Sequence, residues 1–147
     1  MRVMPLGLMA AAVLVAACAG PADPWISADT HAADAAAGGE TLLRNHFDLI
    51  VEGEPPASVT EEDTRTCSVE AYPIEILQQG QFGTARVAAA SETIEAPDSP
   101  CDGVAAEGTG VFYEAASGVS GIDTVVYREF RDGAAPDTIH TMRIRVR

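Results

Sequence analysis

Apolar and polar residues alternate in short runs along the chain from about residue 45 onward. The alternation is clearest near the C-terminus, where two sets of residues lie on opposite sides: Thr138, His140, Met142, Ile144 and Val146 against Ile139, Thr141, Arg143, Arg145 and Arg147. Side chains two positions apart share one face of a strand, so this pattern predicts a half-buried strand. Similar runs predict strands within 47–52, 67–78, 84–89, 109–113 and 124–130. Six or seven short strands without a helical period predict an all-β sandwich.

The first eighteen residues have a different pattern. Arg2 precedes an uncharged apolar run, Val3–Ala17, which is typical of an export signal and short for a permanent membrane helix. Its end, Val15-Ala16-Ala17-Cys18, resembles the bacterial lipoprotein signal, in which the Cys becomes the lipidated first residue of the mature chain. The resemblance implies removal of residues 1–17. It also implies a lipid anchor at Cys18 in the periplasm or at the cell surface, with the outer membrane as the expected membrane.

The small residues around Cys18 leave one alternative open. Cleavage after Ala19 would instead give a soluble periplasmic or secreted protein. Residues 19–44 are rich in Ala, Asp, Gly and Pro and have no sustained period, so they predict a flexible tether. The predicted organisation is therefore a signal peptide (1–17), a lipidated N-terminus with tether (18–44), and one sandwich domain (45–147).

The charge balance excludes some partners. The chain has a formal net charge of −13 and contains no lysine. Nucleic-acid binding and membrane adhesion through a basic patch both require clustered cations, so neither is expected. The expected contact with the membrane is through the N-terminal lipid alone.

Two cysteines remain once Cys18 is assigned to the lipid. Cys67 and Cys101 form an even pair, which in an exported protein predicts a disulfide that clamps a loop to a strand. The bridge would close a loop of about 35 residues and contribute roughly 3–4 kcal/mol in the chain-entropy model. The alternatives are free thiols or a metal site, but neither cysteine has a histidine or second cysteine at close spacing.

One stretch resembles a pattern found in bacterial Ig-like (cadherin-like) modules. A tyrosine ends one strand, a Gly-x-x-Gly-x-Asp turn follows, and a second tyrosine lies four residues past the aspartate. The matching residues are Tyr113, Gly118, Gly121, Asp123 and Tyr127. The resemblance implies a Greek-key sandwich of about seven strands. In it the glycines form a tight corner, Asp123 bonds turn amides, and Tyr127 serves as a tyrosine corner with a structural role.

Residues capable of chemistry do not form a recognisable motif. No catalytic set and no metal site are predicted, because His31, His46 and His140 are scattered and Asp29, His31 and Asp34 lie in the predicted tether. Arg143, Arg145 and Arg147 form a row on the last strand. They are interpreted as a charged guard of that face, with a docking stripe for an acidic partner as the alternative.

These observations together predict a non-catalytic lipoprotein of the cell envelope, which serves as a structural or protein-binding accessory and needs no cofactor. Its expected partners are the membrane, through the lipid, and an envelope protein. The alternative from a different class is a module that binds carbohydrate or another small envelope ligand, which would require an exposed aromatic platform. An enzyme ranks third.

Overall fold

The computed structural model describes residues 26–58, 60, 62–131 and 135–147. This part of the chain folds into eight strands and contains no helix, and so none that could cross a bilayer. The strands are β1 (Ile26–Ala35), β2 (Glu40–Glu52), β3 (Thr66–Ala71), β4 (Ile74–Gln78), β5 (Gly83–Thr93), β6 (Ala105–Ala115), β7 (Gly121–Glu129) and β8 (Asp137–Val146). The predicted signal peptide and Cys18 lie outside the described residues.

The strands form two four-stranded sheets. One has the order β1-β8-β7-β4 and the other β3-β2-β6-β5. All neighbouring strands are antiparallel except β1 and β8, which are parallel. The predicted all-β sandwich is confirmed.

The main core lies between the two sheets. In β8 the even-numbered residues from Thr138 to Val146 are buried and the odd-numbered ones point outward, as the predicted alternation requires. Met142, Ile144 and Val146 of this set pack with residues of β1, β5, β6 and β7. The buried members are Ala35, Ala85, Val111, Tyr113, Ala115, Val125, Tyr127, Met142, Ile144 and Val146.

A second, smaller core surrounds the disulfide. Cys67 in β3 is bonded to Cys101 in the loop between β5 and β6, with 5.7 Å between their Cα atoms. Cys101 is fully buried and packs with Ile94 and Ala106. The bridge therefore clamps a loop to an edge strand, as predicted.

The first strand corrects the domain boundary. Residues 26–44 were expected to be part of a flexible tether, and that expectation is wrong, because they form β1 and the start of β2. β1 pairs with β8 along its whole length, from Ile26 opposite Asp137 to Ala35 opposite Val146. Backbone hydrogen bonds to β8 hold β1 in place. The Ala- and Asp-rich sequence of β1 does not indicate this pairing, because β8 lies more than a hundred residues later in the chain.

Candidate functional site

A β-bulge in β2 directs the His46 side chain toward the interior of the sandwich. Leu43 packs against the main core, and His46, three residues later, is buried in the same interface. In a regular strand, residues three apart lie on opposite faces. The register opposite β6 shifts between Leu42 and Arg44, and this extra residue brings Arg44 and His46 to the inner face.

The inner face of the other sheet changes from apolar to polar toward one end. Val125 lies opposite Met142, the next pair is Tyr127 and His140, and the last is Glu129 with Thr138. All of these residues are buried. The same interface therefore has an apolar end and a polar end, and His46 reaches the polar one.

Glu129 is the centre of this polar end. Its Oε2 accepts a short hydrogen bond from His46 Nδ1, and its Oε1 accepts one from Arg131 Nε. The other nitrogen of His46, Nε2, lies 2.8 Å from the Tyr127 hydroxyl.

His140 brings in the third histidine, since its Nδ1 lies 3.3 Å from His31 Nε2. All three histidines of the chain therefore meet here. We call His31, His46, Tyr127, Glu129 and His140 the histidine cluster.

One nitrogen in the histidine cluster has no hydrogen bond. His140 Nε2 is buried and makes no hydrogen bond of good geometry, although it lies 3.4 Å from Glu129 Oε2. In the described part of the chain, Asn45 Oδ1 is the only other buried side-chain atom in this state. An unsatisfied buried polar atom lowers the stability of the fold by about 1–3 kcal/mol. Such atoms are therefore rare in residues whose role is purely structural.

The protonation states of the cluster follow from its burial. Desolvation lowers the pKa of His46 below its ordinary value of 6.5 despite the neighbouring carboxylate, which favours the neutral imidazole at pH 7. Burial alone would raise the pKa of Glu129, but its polar contacts with His140, His46 and Arg131 outweigh that effect and lower it. Burial also raises the pKa of Tyr127. At neutral pH these shifts favour a carboxylate at Glu129, a neutral imidazole at His46 and a phenol at Tyr127.

A small cavity of about 100 Å³ opens beside the histidine cluster. A water molecule needs roughly 10–15 Å³ of such volume, so the cavity can hold several. Its walls are mainly polar side chains: Asp29, Arg44, Asn45, His46, Phe47, Glu129, Arg131, Thr138 and His140. Two overlapping groups in this region could hold a metal ion, His46–Glu129–His140 and Asp29–His31–His140, each with ligand atoms within 4.8 Å of one another.

The predicted structural corner lies at the opposite, apolar end. Asp123 accepts hydrogen bonds from the backbone N–H groups of Gln81, Phe82 and Thr124 and from the Tyr113 hydroxyl. The two glycines of the corner, Gly118 and Gly121, have φ of 73° and 140°. Asp123 therefore ties the loop between β4 and β5 to β7.

Tyr127 does not close this corner. Its hydroxyl contacts His46 Nε2 and makes no hydrogen bond to the upstream backbone of the described residues, so the predicted tyrosine-corner contact is wrong. The reason is its position in β7: its fully buried ring points between the sheets at the level of His140. Tyr127 belongs to the histidine cluster.

The arginine row lies on the outer face of the β1-β8-β7-β4 sheet. Arg147 is paired with Asp34 at 2.8 Å. Arg143 and Arg145 are exposed, and neither forms an ion pair with any described residue. They border a groove of about 340 Å³ that also includes Ala32, Ala33, Asp34 and the half-exposed Ile122.

No family model, no curated protein and no solved structure matches this chain. Sequence reasoning missed the histidine cluster, because its members come from four strands. The signal that could have found it is the polar end of the two final strands, where Glu129, Thr138 and His140 occupy positions in phase with buried apolar residues.

Proposed function

We propose that this protein is an exported, non-catalytic lipoprotein of the cell envelope, anchored through Cys18, with an Ig-like sandwich that binds a protein partner. The apolar N-terminal run and Cys18 support export and lipidation. The Cys67–Cys101 bridge supports an oxidising compartment, where such bonds persist. The corner built around Asp123 and the two positive-φ glycines supports the Ig-like module.

The proposed protein-binding role rests on the outer surface around Arg143, Arg145 and Ile122, which we call the docking face. Arg143 and Arg145 lack ion-pair partners among the described residues of a chain whose net charge is −13. Ile122, with 51% of its surface exposed, lies beside them on the same face. Two free guanidinium groups next to an apolar side chain fit an acidic segment with an apolar anchor, because arginine binds carboxylates in a bidentate manner.

Two features favour this role over the alternatives. A carbohydrate site needs an exposed aromatic platform, whereas among the described residues the three tyrosines are buried and the four phenylalanines are partly buried. The Tyr127–His46–Glu129 chain resembles a nucleophile–base–carboxylate arrangement. However, the Tyr127 side chain is fully buried, and burial raises its pKa, so it is a poor nucleophile with no access to substrate.

Charge reversal tests the docking face. We expect Arg143→Glu with Arg145→Glu to abolish the crosslinked product that the intact lipoprotein forms in its own envelope, because both attractive charges become repulsive. The matched control is Arg65→Glu with Arg86→Glu. It changes the net charge equally, but its arginines are already paired with Asp63 and Glu40. Equal crosslinking yields in both double variants would contradict the proposed face.

Removal of the thiol at position 18 tests the anchor. We expect Cys18→Ser to leave the membrane fraction or to accumulate as the uncleaved precursor, because the acyl chains that hold the protein cannot be attached. A single acyl chain binds a membrane only marginally, so durable anchoring needs more than one. Fractionation of the envelope, with mass spectrometry of the N-terminal peptide, measures both outcomes. Wild-type protein found wholly soluble and cleaved after Ala19 would overturn lipidation while leaving the docking face untouched.

A further inference from the structure

Three of the buried members of the histidine cluster, His46, Glu129 and His140, each direct one ligand atom toward the same point. His46 Nε2 is occupied by the Tyr127 hydroxyl, His140 Nδ1 by His31, and Glu129 Oε1 by Arg131. The remaining atoms, His46 Nδ1, Glu129 Oε2 and His140 Nε2, face one another. This division matches protein metal sites, in which the second polar atom of each ligand is held by an outer partner.

The unsatisfied nitrogen of His140 indicates that a ligand binds at this point. His140 is buried and its Nε2 makes no hydrogen bond, although a carboxylate oxygen lies only 3.4 Å away. A fold that needed His140 only for packing would be served by an apolar side chain of similar size at lower cost. A ligand that binds Nε2 directly would remove this penalty.

We propose that His46 Nδ1, Glu129 Oε2 and His140 Nε2 bind one divalent first-row transition-metal ion. Two imidazoles and one carboxylate suit Zn²⁺, Cu²⁺ and related ions, whereas Mg²⁺ and Ca²⁺ prefer oxygen ligands. The cavity beside the cluster supplies room for a water molecule as the fourth ligand. This inference is independent of the docking face, which lies on the outer side of the sheet.

The ligand spacing fits such an ion with a small movement. Metal–ligand distances of about 2.0–2.2 Å place tetrahedral ligand atoms roughly 3.4 Å apart. The Glu129–His140 contact already has this length. Without metal, a proton lies between His46 Nδ1 and Glu129 Oε2, so these two atoms must separate when the ion replaces it. His46 Nε2 then donates to the Tyr127 oxygen.

The overlapping group Asp29–His31–His140 is the weaker candidate. Asp29 is exposed, and the guanidinium of Arg44 contacts both ring nitrogens of His31, at 3.2 and 3.1 Å. These contacts engage both ring nitrogens of His31, so neither is free to bind an ion. His31 is therefore assigned as the outer partner that orients His140.

Titration of the metal-stripped full chain tests the proposal. We expect calorimetry to show one Zn²⁺ or Cu²⁺ bound per chain, no saturable binding of Mg²⁺ or Ca²⁺, and a melting temperature that rises with metal concentration. The titration is repeated with Cys18→Ser, because a free thiol binds the same ions. Absence of saturable one-to-one transition-metal binding to the wild type overturns the proposal.

Three variants locate the ion. His140→Phe preserves the size of the ring, and Glu129→Gln preserves the shape of the side chain; we expect both to lose binding. The matched control, His31→Ala, should keep the one-to-one stoichiometry with an affinity about 10–100-fold lower, as for loss of an outer partner. Retained binding in His140→Phe, or a complete loss confined to His31→Ala, contradicts the assigned ligands.

A measurement on the wild type covers the case in which a variant fails to fold. Nitrogen NMR of the imidazole rings with Zn²⁺ should move the resonances of His46 Nδ1 and His140 Nε2 to metal-bound values and leave both His31 nitrogens without such a shift. Unchanged ring resonances at saturating Zn²⁺ would show that any bound ion lies away from His46 and His140, and the proposal would fail.

Discussion

Replacement of Asp123 by alanine is expected to lower the free energy of unfolding by about 3–4 kcal/mol. The change removes the acceptor for three backbone N–H groups and for the Tyr113 hydroxyl, in a site where the side chain is buried. Each buried donor left unsatisfied costs about 1–3 kcal/mol, and water can reach only part of this loop. Urea denaturation at pH 7 measures the difference.

Asp123→Asn is the matched control. Its amide oxygen can still accept from two backbone donors, whereas its NH₂ group would face the other two, so we expect an intermediate loss. Burial would raise the pKa of Asp123, but the hydrogen bonds from Tyr113 and the three backbone donors lower it below its ordinary value of 3.8. Its contribution is therefore complete above about pH 4 and disappears as the pH falls through the lower, folded-state pKa. The difference in free energy of unfolding between the wild type and Asp123→Asn should therefore become smaller as the pH is lowered. A difference that grows in acid would contradict this role of Asp123.

Loss of the disulfide is expected to have a similar effect. Cys67→Ser with Cys101→Ser should lower the free energy of unfolding by about 3–4 kcal/mol, because the unfolded chain regains the freedom of the loop that the bridge closes. Cys101 is also fully buried beside Ile94 and Ala106, so a hydroxyl at that position loses apolar contacts. Thermal unfolding of the double variant and of the wild type, with and without reductant, measures this effect.

Reductant separates the bridge from other causes. It should lower the melting temperature of the wild type toward that of the double variant and leave the double variant unchanged. Cys18→Ser is the control for a cysteine outside the bridge and should retain the wild-type stability of the domain. Equal melting temperatures for oxidised and reduced wild type would show that the bridge stabilises nothing.

The sequence predicted those parts of the fold that depend on local pattern. The alternation in β8 identified its two faces correctly, because each residue there meets either the core or solvent. β1 was not predicted, because its alanines and aspartates show no strand pattern. Its extended conformation depends on pairing with β8. Tyr127 was placed in a corner because the motif was local, whereas its real neighbours come from β2 and β8.

The histidine cluster shows the same limit at the level of chemistry. His46 reaches the interior only because the bulge in β2 shifts the alternation after Leu43, and no residue type at that position signals a bulge. His31 joins through β1, the strand that the sequence did not predict. Three histidines that are distant along the chain therefore meet by topology alone, and the expectation of no metal site rested on their separation.

The start of β1 determines how far the sandwich would stand from the proposed lipid anchor at Cys18. Ile26 lies eight positions after Cys18. An extended chain spans at most about 3.6 Å per residue, so the segment from Cys18 to Ile26 can span at most about 30 Å. A tether that extended to residue 45 could have spanned about 100 Å. Ile26 also enters opposite Asp137, at the end of the sandwich where His140 and Glu129 lie. An anchor at Cys18 would therefore hold the histidine cluster at the end of the sandwich nearer the lipid headgroups, whereas Arg143 and Arg145, near the other end of β8, would lie farther from the bilayer.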